Sequence, residues 1–412
     1  MNWETKTIGE CVKMLSGGTP KKSREDYWGG NIPWVSSGEM TESFLVDTSL
    51  HVTPEGAANG TRLVPENTVL AVVRGMSLAK EFRVSITKRA MTFNQDIKAF
   101  ECVEGIDPRF LFYALKARKE YIRDLSTDAS HGTKKLDTEP LKAVKLLVPE
   151  TIEEQRAIAD VVACYDDLIE NNRRRIALLE EAARLLYREW FVHFRFPGHE
   201  HVKFIDGVPE GWSIRLLPEL CVGKNGIQTG PFGSQLHQSD YTFEGVPVVM
   251  PKDLKSFRIS TDTIARIPEE KAHELGRHVM SVGDIVYGRR GDIGRRALIG
   301  EPEDGFFCGT GCLRIRPDAN KIRPLYLFET LGSASTAGFI ANQARGSTML
   351  NLSAGALKNV PILCAPNHLQ TDFVDLAGTI RKQIEILASQ SDQLARARDL
   401  LLPRLKDGRL EV

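Results

Sequence analysis

The chain contains two related copies of one sequence, and the second copy follows the first at a nearly constant offset. Cys11-Val12 recurs as Cys221-Val222, and Gln155 recurs as Gln370. The segment Ile-Asp-Pro-Arg-Phe-Leu-Phe at residues 106–112 recurs as Ile-Arg-Pro-Leu-Tyr-Leu-Phe at residues 322–328. A period of about 215 residues is far longer than that of a solenoid repeat. It predicts a duplicated unit, a globular domain followed by a long helix, and hence two similar but non-identical ligands held at a fixed distance.

Length and composition are typical of a globular protein. A chain of 412 residues is too long for one ordinary core, so we expect two domains with connectors. No apolar run approaches the ~18 residues of a membrane span, and residues 1–15 lack a secretory hydrophobic region. The seven cysteines are scattered, which favours buried, reduced thiols in a cytoplasmic protein over a zinc site.

The net charge of zero bears on nucleic-acid binding. Phosphate contacts dominate such binding and require an excess of Lys and Arg, so a strong free-standing binder is disfavoured. A DNA-binding protein that shares backbone contacts with a partner is not excluded.

The order of elements predicts an α+β (mixed α/β) fold with four segments. Short apolar runs, a helix near residues 108–123 and irregular loops fill residues 1–150, and the same order recurs in residues 197–365. Residues 151–196 and 366–412 are predicted to form long helices, and the apolar seam gives the first a span of 40 residues from Thr151 to Trp190. We expect Pro197-Gly198 to end the first helix and Pro403 to fray or kink the last turn of the second.

Both long helices carry a heptad seam of apolar residues. A polar residue, Asn172, lies on the first seam, where it would fix register at a cost in stability. The matching length and phase of the seams favour an antiparallel pair within the chain, the alternative being that each helix packs on its own domain. The seam positions are Ile158, Val162, Tyr165, Ile169, Asn172, Ile176, Leu179, Leu186 and Trp190 in the first helix, and Phe373, Ile380, Ile384, Leu387, Leu394 and Leu401 in the second.

Catalytic and cofactor motifs are missing from the sequence. There is no G-x-x-x-x-G-K-[ST] phosphate loop, no H-E-x-x-H and no G-x-S-x-G. The nearest match to an Asn-Pro-Pro-aromatic methyltransferase element is Asn-Ile-Pro-Trp at residues 31–34, where Ile32 breaks the pattern. We therefore expect a binding protein with no catalytic residues, bound cofactor or metal of its own.

Each half has four loops rich in glycine and in polar or basic residues, at residues 16–24, 35–38, 74–80 and 129–135, and at 228–235, 250–253, 289–296 and 344–348. Glycine lets backbone amides approach phosphate, Lys and Arg neutralise it, and Arg, Gln, Asn and Asp can contact base edges. A single such loop is usually a solvated turn, but their recurrence at corresponding positions favours DNA binding. The candidate DNA contacts are Thr19, Lys21, Lys22, Arg24, Ser36, Ser37, Arg74, Lys80, His131, Lys134 and Lys135, with Gln228, Ser234, Gln235, Lys252, Arg289, Arg290, Arg295, Arg296, Arg345, Ser347 and Thr348.

These segments resemble a known family. Leu-Ser-Gly-Gly-Thr-Pro at residues 15–20, with Tyr-Trp-Gly-Gly-Asn-Ile-Pro-Trp-Val-Ser-Ser-Gly-Glu-Met at 27–40, resembles the opening of a target recognition domain in the specificity subunit of type I restriction–modification enzymes. Pro-Glu-Thr-Ile-Glu-Glu-Gln-Arg-Ala-Ile at 149–158 resembles that family's spacer helix, and residues 400–410 resemble its C-terminus. The second domain opens differently, with Gln-Thr-Gly-Pro-Phe-Gly-Ser at 228–234, which resembles another opening in the family.

The resemblance implies a mechanism. Each recognition domain would bind one half of a bipartite sequence in double-stranded DNA, and the two helices would set the unread spacer and dock two methylation subunits. Those subunits would supply S-adenosylmethionine and methylate adenine by base flipping. Restriction and translocation subunits would join the full complex, and the protein would be cytoplasmic with no membrane partner.

Two other functions remain as alternatives. A duplicated coiled-coil adaptor without a DNA role predicts no salt-dependent DNA binding. A self-contained DNA enzyme predicts activity from the chain alone, and the missing motifs argue against it.

Overall fold

The computed structural model describes residues 2–129, 132–255, 258–261, 263–291, 293–343 and 351–410. They form two compact units. Unit 1 comprises residues 1–174 and 388–412, and unit 2 comprises residues 175–387. Each unit contains strands, short helices and part of both long helices. The predicted mixed fold is therefore confirmed.

Unit 1 is built from short strands and helices. The strands are β1 (Trp3–Thr7), β2 (Val12–Ser16), β3 (Trp28–Val35), β4 (Phe44–Leu45), β5 (His51–Val52), β6 (Leu63–Val64), β7 (Val69–Val72), β8 (Arg74–Gly75), β9 (Val84–Thr87), β10 (Met91–Phe93), β11 (Ile97–Cys102), β12 (Thr127–Asp128), β13 (Lys134–Lys135) and β14 (Lys145–Pro149). The helices are α1 (Ile8–Cys11), α2 (Pro54–Ala58), α3 (Pro108–Ala117), α4 (Lys119–Asp124), α5 (Thr138–Lys142) and the first part of α6 (Ile152–Phe191).

Unit 2 repeats this plan with fewer strands among its described residues. The strands are β15 (Phe204–Ile205), β16 (Val208–Pro209), β17 (Ser213–Leu216), β18 (Ile227–Thr229), β19 (Val246–Val249), β20 (Leu254–Lys255), β21 (Arg258–Ile259), β22 (Ala265–Ile267), β23 (Ile285–Gly288), β24 (Arg296–Leu298), β25 (Phe307–Cys308), β26 (Cys312–Ile315) and β27 (Pro361–Cys364). The helices are α7 (Glu269–Glu274), α8 (Pro324–Gly332), α9 (Ala334–Gln343), α10 (Ala354–Leu357) and α11 (Asn367–Lys406).

The sheet topology is duplicated together with the sequence. The order β2-β11-β7-β9 in unit 1 corresponds to β18-β26-β23-β24 in unit 2, and both sheets are antiparallel over these strands. A parallel pair recurs in matching register: β3 with β10 pairs Val35 with Phe93, and β19 with β25 pairs Val249 with Cys308. The antiparallel pair β1 with β14 corresponds to β17 with β27. The parallel pairs join strands that are far apart in the chain, and the same long-range pairing occurs in both units.

The long helices bury their seams. Both α6 and α11 contain 40 residues, about 60 Å at 1.5 Å per residue. In unit 1, Ile158 and Val162 share one core with Leu402 and Leu405, so the two helices run antiparallel there. In unit 2, Trp190 of α6 contacts Phe373 of α11, again with opposite chain directions. Every seam position is buried or half-buried.

The predicted span of the first helix, Thr151 to Trp190, agrees with the structure to within one residue at each end, whereas the fraying predicted for the second helix at Pro403 is not seen. Helix α6 ends at Phe191, before Pro197, because Phe194 takes a left-handed backbone conformation (φ 58°) that a helix cannot continue through. Helix α11 continues past Pro403 to Lys406 without fraying at the proline. At the start of α6, the Thr151 hydroxyl accepts a hydrogen bond from Glu154 N (3.3 Å), which caps the first turn.

In each unit, a buried glutamine joins the start of a long helix to the part that contains the strands. In unit 1, Gln155 of α6 accepts from Asp107 N (2.9 Å) and donates to the carbonyls of Gly105 (2.9 Å) and Pro149 (3.1 Å). In unit 2, Gln370 of α11 accepts from Arg323 N (3.0 Å) and donates to Ala365 O (2.7 Å). The recurrence of Gln155 as Gln370 therefore marks the same structural joint.

Candidate nucleic-acid interface

Three of the four predicted loops of unit 1 attach to one turn between β10 and β11, residues 93–96, which we call anchor turn 1. Gly18 N donates to Phe93 O (2.9 Å), and Asn94 N donates to Val35 O (2.9 Å). Val73 N and Arg74 N both donate to Asp96 O (2.8 and 3.2 Å). A Cβ at Gly17 would collide with the carbonyl of Phe93, so this close approach requires glycine.

The fourth loop of unit 1 reaches the same place through a small sheet. Strand β13 pairs with β8, so that Lys135 lies opposite Arg74 and Lys134 opposite Gly75. Leu136 N also donates to Val73 O (2.8 Å). The structure thus brings together the backbones of four loops that are widely separated in the sequence.

Most predicted contacts of unit 1 are available to a ligand. Thr19, Lys21, Lys22, Arg24, Arg74 and Lys80 are exposed, and Ser36, Ser37, Lys134 and Lys135 are half-buried. Several of these cations are paired with carboxylates on the surface: Arg24 with Asp26 (2.6 Å), Lys134 with Asp128 (2.8 Å) and Lys135 with Asp137 (3.0 Å). The hydrogen bond from Arg24 lowers the pKa of Asp26. Exposed pairs of this kind are weak, so a phosphate can compete for the cations.

Unit 2 has the same arrangement about a turn at residues 308–311, which we call anchor turn 2. Gly309 N donates to Val249 O (2.9 Å), and Arg289 N donates to Gly311 O (3.0 Å). Gly230 N donates to Cys312 O (3.0 Å), and a Cβ at Gly230 would collide with Gly309 O. The bonds of Gly309 and Arg289 match those of Asn94 and Arg74 in anchor turn 1 at an offset of about 215 residues. The bond of Gly230 goes to Cys312, the residue after the turn, so the attachment of the second and third loops is duplicated and that of the first is shifted.

The fourth loop of unit 2 lies outside the described residues, but the segment that follows it is placed. Leu352 N donates to Arg289 O (2.8 Å), and Asn351 bridges to Arg290. The first of these bonds corresponds to that from Leu136 N to Val73 O in unit 1. Of the predicted contacts, His131, Arg345, Ser347 and Thr348 lie outside the described residues.

Two predicted arginines of unit 2 are structural in this conformation. Arg289 is 5% exposed and donates from Nε to Thr310 O (3.3 Å), and Arg296 is 6% exposed, donates to Phe328 O (2.9 Å) and lies over the Phe328 ring. Both guanidinium groups bind backbone carbonyls inside the unit, so neither faces a ligand. The remaining residues lie on the surface: Ser234, Lys252, Arg290 and Arg295 are exposed, and Gln228 and Gln235 are half-buried.

Sequence reasoning missed the two anchor turns and the exposed residue at the centre of the first, Gln95. The Thr19 hydroxyl donates to Gln95 Oε1 (2.7 Å), which links this side chain to the first loop. The repeat offset was the available signal, because it aligns Asn-Gln-Asp at residues 94–96 with Gly-Thr-Gly at residues 309–311.

The cysteines give no sign of metal chemistry. Five of the seven are buried, and burial raises the pKa of Cys308 to about 12. Cys164 is exposed and Cys102 half-buried, so the expectation of buried thiols holds for most of them. The described part of the chain contains no cluster of His, Cys, Asp and Glu suited to a metal ion and no helix long and apolar enough to cross a membrane.

The chain is similar to known proteins of one kind. The type I restriction modification DNA specificity domain matches residues 1–181. The type I restriction enzyme MjaIX specificity subunit of Methanocaldococcus jannaschii is 25% identical over 423 residues, covering 100% of this chain and 94% of that protein. The first part of the chain thus matches a DNA specificity domain, and the whole chain is similar to type I restriction enzyme specificity subunits.

Another specificity subunit and a solved structure are also similar to this chain. The EcoR124I/EcoR124II specificity subunit of Escherichia coli is 30% identical over 205 residues, which cover 48% of this chain and 50% of that protein. The fold matches the crystal structure of the S subunit of a type I restriction–modification system from M. genitalium, with a TM-score of 0.60, 16% identity and coverage of 98% and 96%. These similarities are to specificity subunits, and they disfavour the adaptor alternative.

Proposed function

We propose that this chain is a specificity subunit that recognises a bipartite site in double-stranded DNA, with one half-site bound by the loop surface of each unit. The observation that carries the proposal is a duplication: in both units, corresponding backbone hydrogen bonds attach the second and third loops to an anchor turn. Rigid attachment of polar loops to a sheet edge is what base recognition needs, because base contacts require fixed donor and acceptor positions.

The side chains proposed to contact DNA are those that the units leave accessible. In unit 1 these are Thr19, Lys21, Lys22, Arg24, Ser36, Ser37, Arg74, Lys80, Lys134 and Lys135, and in unit 2 they are Gln228, Ser234, Gln235, Lys252, Arg290 and Arg295. The Lys and Arg members suit phosphate, and the amide and hydroxyl members suit base edges. The two surfaces differ in these residues, so the half-sites should differ in sequence.

The proposed partners follow from the chemistry that the chain lacks. With no cofactor motif of its own, the subunit would direct two methylation subunits that carry S-adenosylmethionine to adenines in the site, and a restriction and translocation subunit would join for cleavage. The helices α6 and α11 would dock the methylation subunits and set the spacer. The net charge of zero supports a shared task, because partners would neutralise much of the phosphate backbone. The complex would act in the cytoplasm.

The test is modified-base sequencing of host DNA with and without the gene. We expect the loss of one split motif that is methylated on both strands, which would reveal both half-sites together. A complex of this chain with co-expressed methylation subunits that selects no bipartite sequence from a pool of randomised duplexes would overturn the proposal.

A further inference from the structure

We infer that Gln95 contacts a base in the half-site bound by unit 1 and that its amide is matched to adenine. This inference rests on the proposed function and names a specificity-determining residue within it. Gln95 occupies the one position of anchor turn 1 at which a flexible polar side chain faces solvent: its neighbours Asn94 and Asp96 are buried and half-buried.

The backbone at Gln95 is held from both sides. Asn94 N and Asp96 O are bonded to separate loops, and Asp96 N donates to Asn94 Oδ1 (3.1 Å) within the turn. Gln95 therefore projects from the point at which the loops at residues 16–24, 35–38 and 74–80 converge. A residue so placed reaches any ligand that contacts all three loops, and its position changes little when the ligand binds.

The side-chain amide is also oriented. The Thr19 hydroxyl donates to Gln95 Oε1 at 2.7 Å, which holds the amide beside the first loop. A carbonyl oxygen has a second lone pair, so Oε1 can accept one further hydrogen bond. Among the described residues, Nε2 has no acceptor. The amide thus offers one acceptor and one donor side by side.

Adenine presents the complementary pair in the major groove. Its N6 amino group donates and its N7 accepts, and a glutamine amide binds both in a bidentate manner. Guanine offers two acceptors at the same edge, so it would leave Oε1 facing an acceptor. The geometry of one donor and one acceptor therefore favours adenine over guanine.

Unit 2 supplies an internal contrast. The equivalent position of anchor turn 2 is Thr310, whose side chain is short and whose carbonyl accepts from Arg289 Nε (3.3 Å). A threonine cannot make the bidentate amide contact. The half-site of unit 2 should therefore lack the Gln95-dependent adenine, and substitution of Gln95 should leave that half-site unchanged.

The experiment is binding selection from a randomised duplex pool, followed by sequencing, with the full chain purified together with its co-expressed methylation subunits. For Gln95→Ala we expect preference for adenine to fall by about 10- to 100-fold at one base pair of one half-site. Thr19→Val should weaken the same preference less, because the amide remains but is no longer oriented. The control is Glu66→Ala, at an exposed position of unit 1 outside the four loops and the long helices, which should leave both half-sites unchanged.

The possible results of this selection distinguish failure of the Gln95 inference from failure of the proposed function. If the wild-type complex selects a bipartite site and Gln95→Ala retains every base preference, the inference is wrong and the proposed function stands. Equal loss at both half-sites, or loss centred on a base pair other than one containing adenine, would also overturn it. If Gln95→Ala yields no stable complex, Gln95→Glu tests the same contact: it removes the donor and should reject adenine at that position, and unchanged selection by this variant overturns the inference. A wild-type complex without a bipartite preference would instead overturn the proposed function.

Discussion

At the scale of single residues, the joint made by Gln155 carries the clearest consequence for stability. Its side chain is 1% exposed and satisfies one backbone N–H and two backbone carbonyls. Gln155→Ala would leave these groups buried without partners, so we expect the free energy of unfolding to fall by about 2–4 kcal/mol. Urea denaturation followed by circular dichroism measures this change. Glu153→Ala, at an exposed position of the same helix, should change it by less than about 0.5 kcal/mol, and a similar loss in both variants would contradict the argument.

A second residue, His278 of unit 2, should make stability depend on pH. Burial, aided by Arg277 and Arg314, lowers its pKa to about 4, and Arg277 Nε donates to its Nε2 (3.1 Å). Between pH 6.5 and about 4 the unfolded chain binds a proton that the folded chain does not, so stability falls as the pH falls. The loss should reach up to about 3 kcal/mol at about 1.4 kcal/mol per pKa unit. His278→Gln should show a smaller fall between pH 7 and pH 4.5 in denaturant titrations, whereas an equal slope would exclude this role.

At the scale of elements, α3, α6 and α11 meet in unit 1 at a buried carboxylate. Asp166 of α6 accepts from Tyr113 OH of α3 (3.0 Å) and from Arg398 of α11, and Lys116 Nζ lies 3.7 Å away. Burial, together with the Asp166 carboxylate, raises the pKa of Tyr113, so its hydroxyl stays protonated and donates. The polar groups satisfy one another and fix how the helices pack.

Arg398→Met tests that junction. It removes the main cation and leaves Asp166 buried, so we expect a loss of about 2–4 kcal/mol in the free energy of unfolding. The double variant Arg398→Met with Asp166→Leu should recover part of it, because an apolar pair needs no charge partner. Arg404→Met, exposed on the same helix, is the control. A double variant less stable than the single one would refute the account.

The long helices and many strands could be predicted from the sequence because their signals are local. The heptad spacing that begins at Ile158 and Phe373 places both α6 and α11, and apolar runs at residues 69–73, 96–100 and 144–148 place β7, β11 and β14 within two residues of their observed ends. The seam placed the end of α6 within one residue of Phe191, but the left-handed conformation of Phe194 that stops the helix has no mark in the sequence, unlike Pro197.

The anchor turns and the buried arginines could not be predicted in this way. What distinguishes residues 93–96 is that backbone groups of Gly18, Val35 and Val73 attach to them, and these partners are distant in the chain. Arg289 and Arg296 could not be predicted for the same reason. A basic residue in a glycine-containing loop predicts a phosphate contact, and only the fold shows that these two side chains bind backbone carbonyls.

At the scale of the whole molecule, the proposed spacer function can be tested by lengthening the helices. A seven-residue insertion keeps the heptad phase of the seam and adds about 10 Å, close to three base pairs at ~3.4 Å each. We would place it between Arg174 and Arg175, with a matching insertion between Leu387 and Ala388, where the two units divide. Modified-base sequencing should show a longer spacer between unchanged half-sites. A three-residue insertion is the control, since it breaks the heptad phase of the seam. An unaltered spacer after the seven-residue insertion would show that the helices do not set the spacer length.

The division into units also has a consequence for the order of folding during synthesis. Unit 2 is one continuous stretch, residues 175–387, whereas unit 1 needs residues 388–412 as well as 1–174. The ribosome therefore delivers all of unit 2 before it delivers Leu402 and Leu405, which cover Ile158 and Val162 in the core of unit 1. Proteins usually complete their N-terminal domain first. Here the core of unit 1 waits for residues that are made after unit 2, and any chain interrupted before residue 388 is left with an uncovered apolar seam for cellular proteases and chaperones to detect.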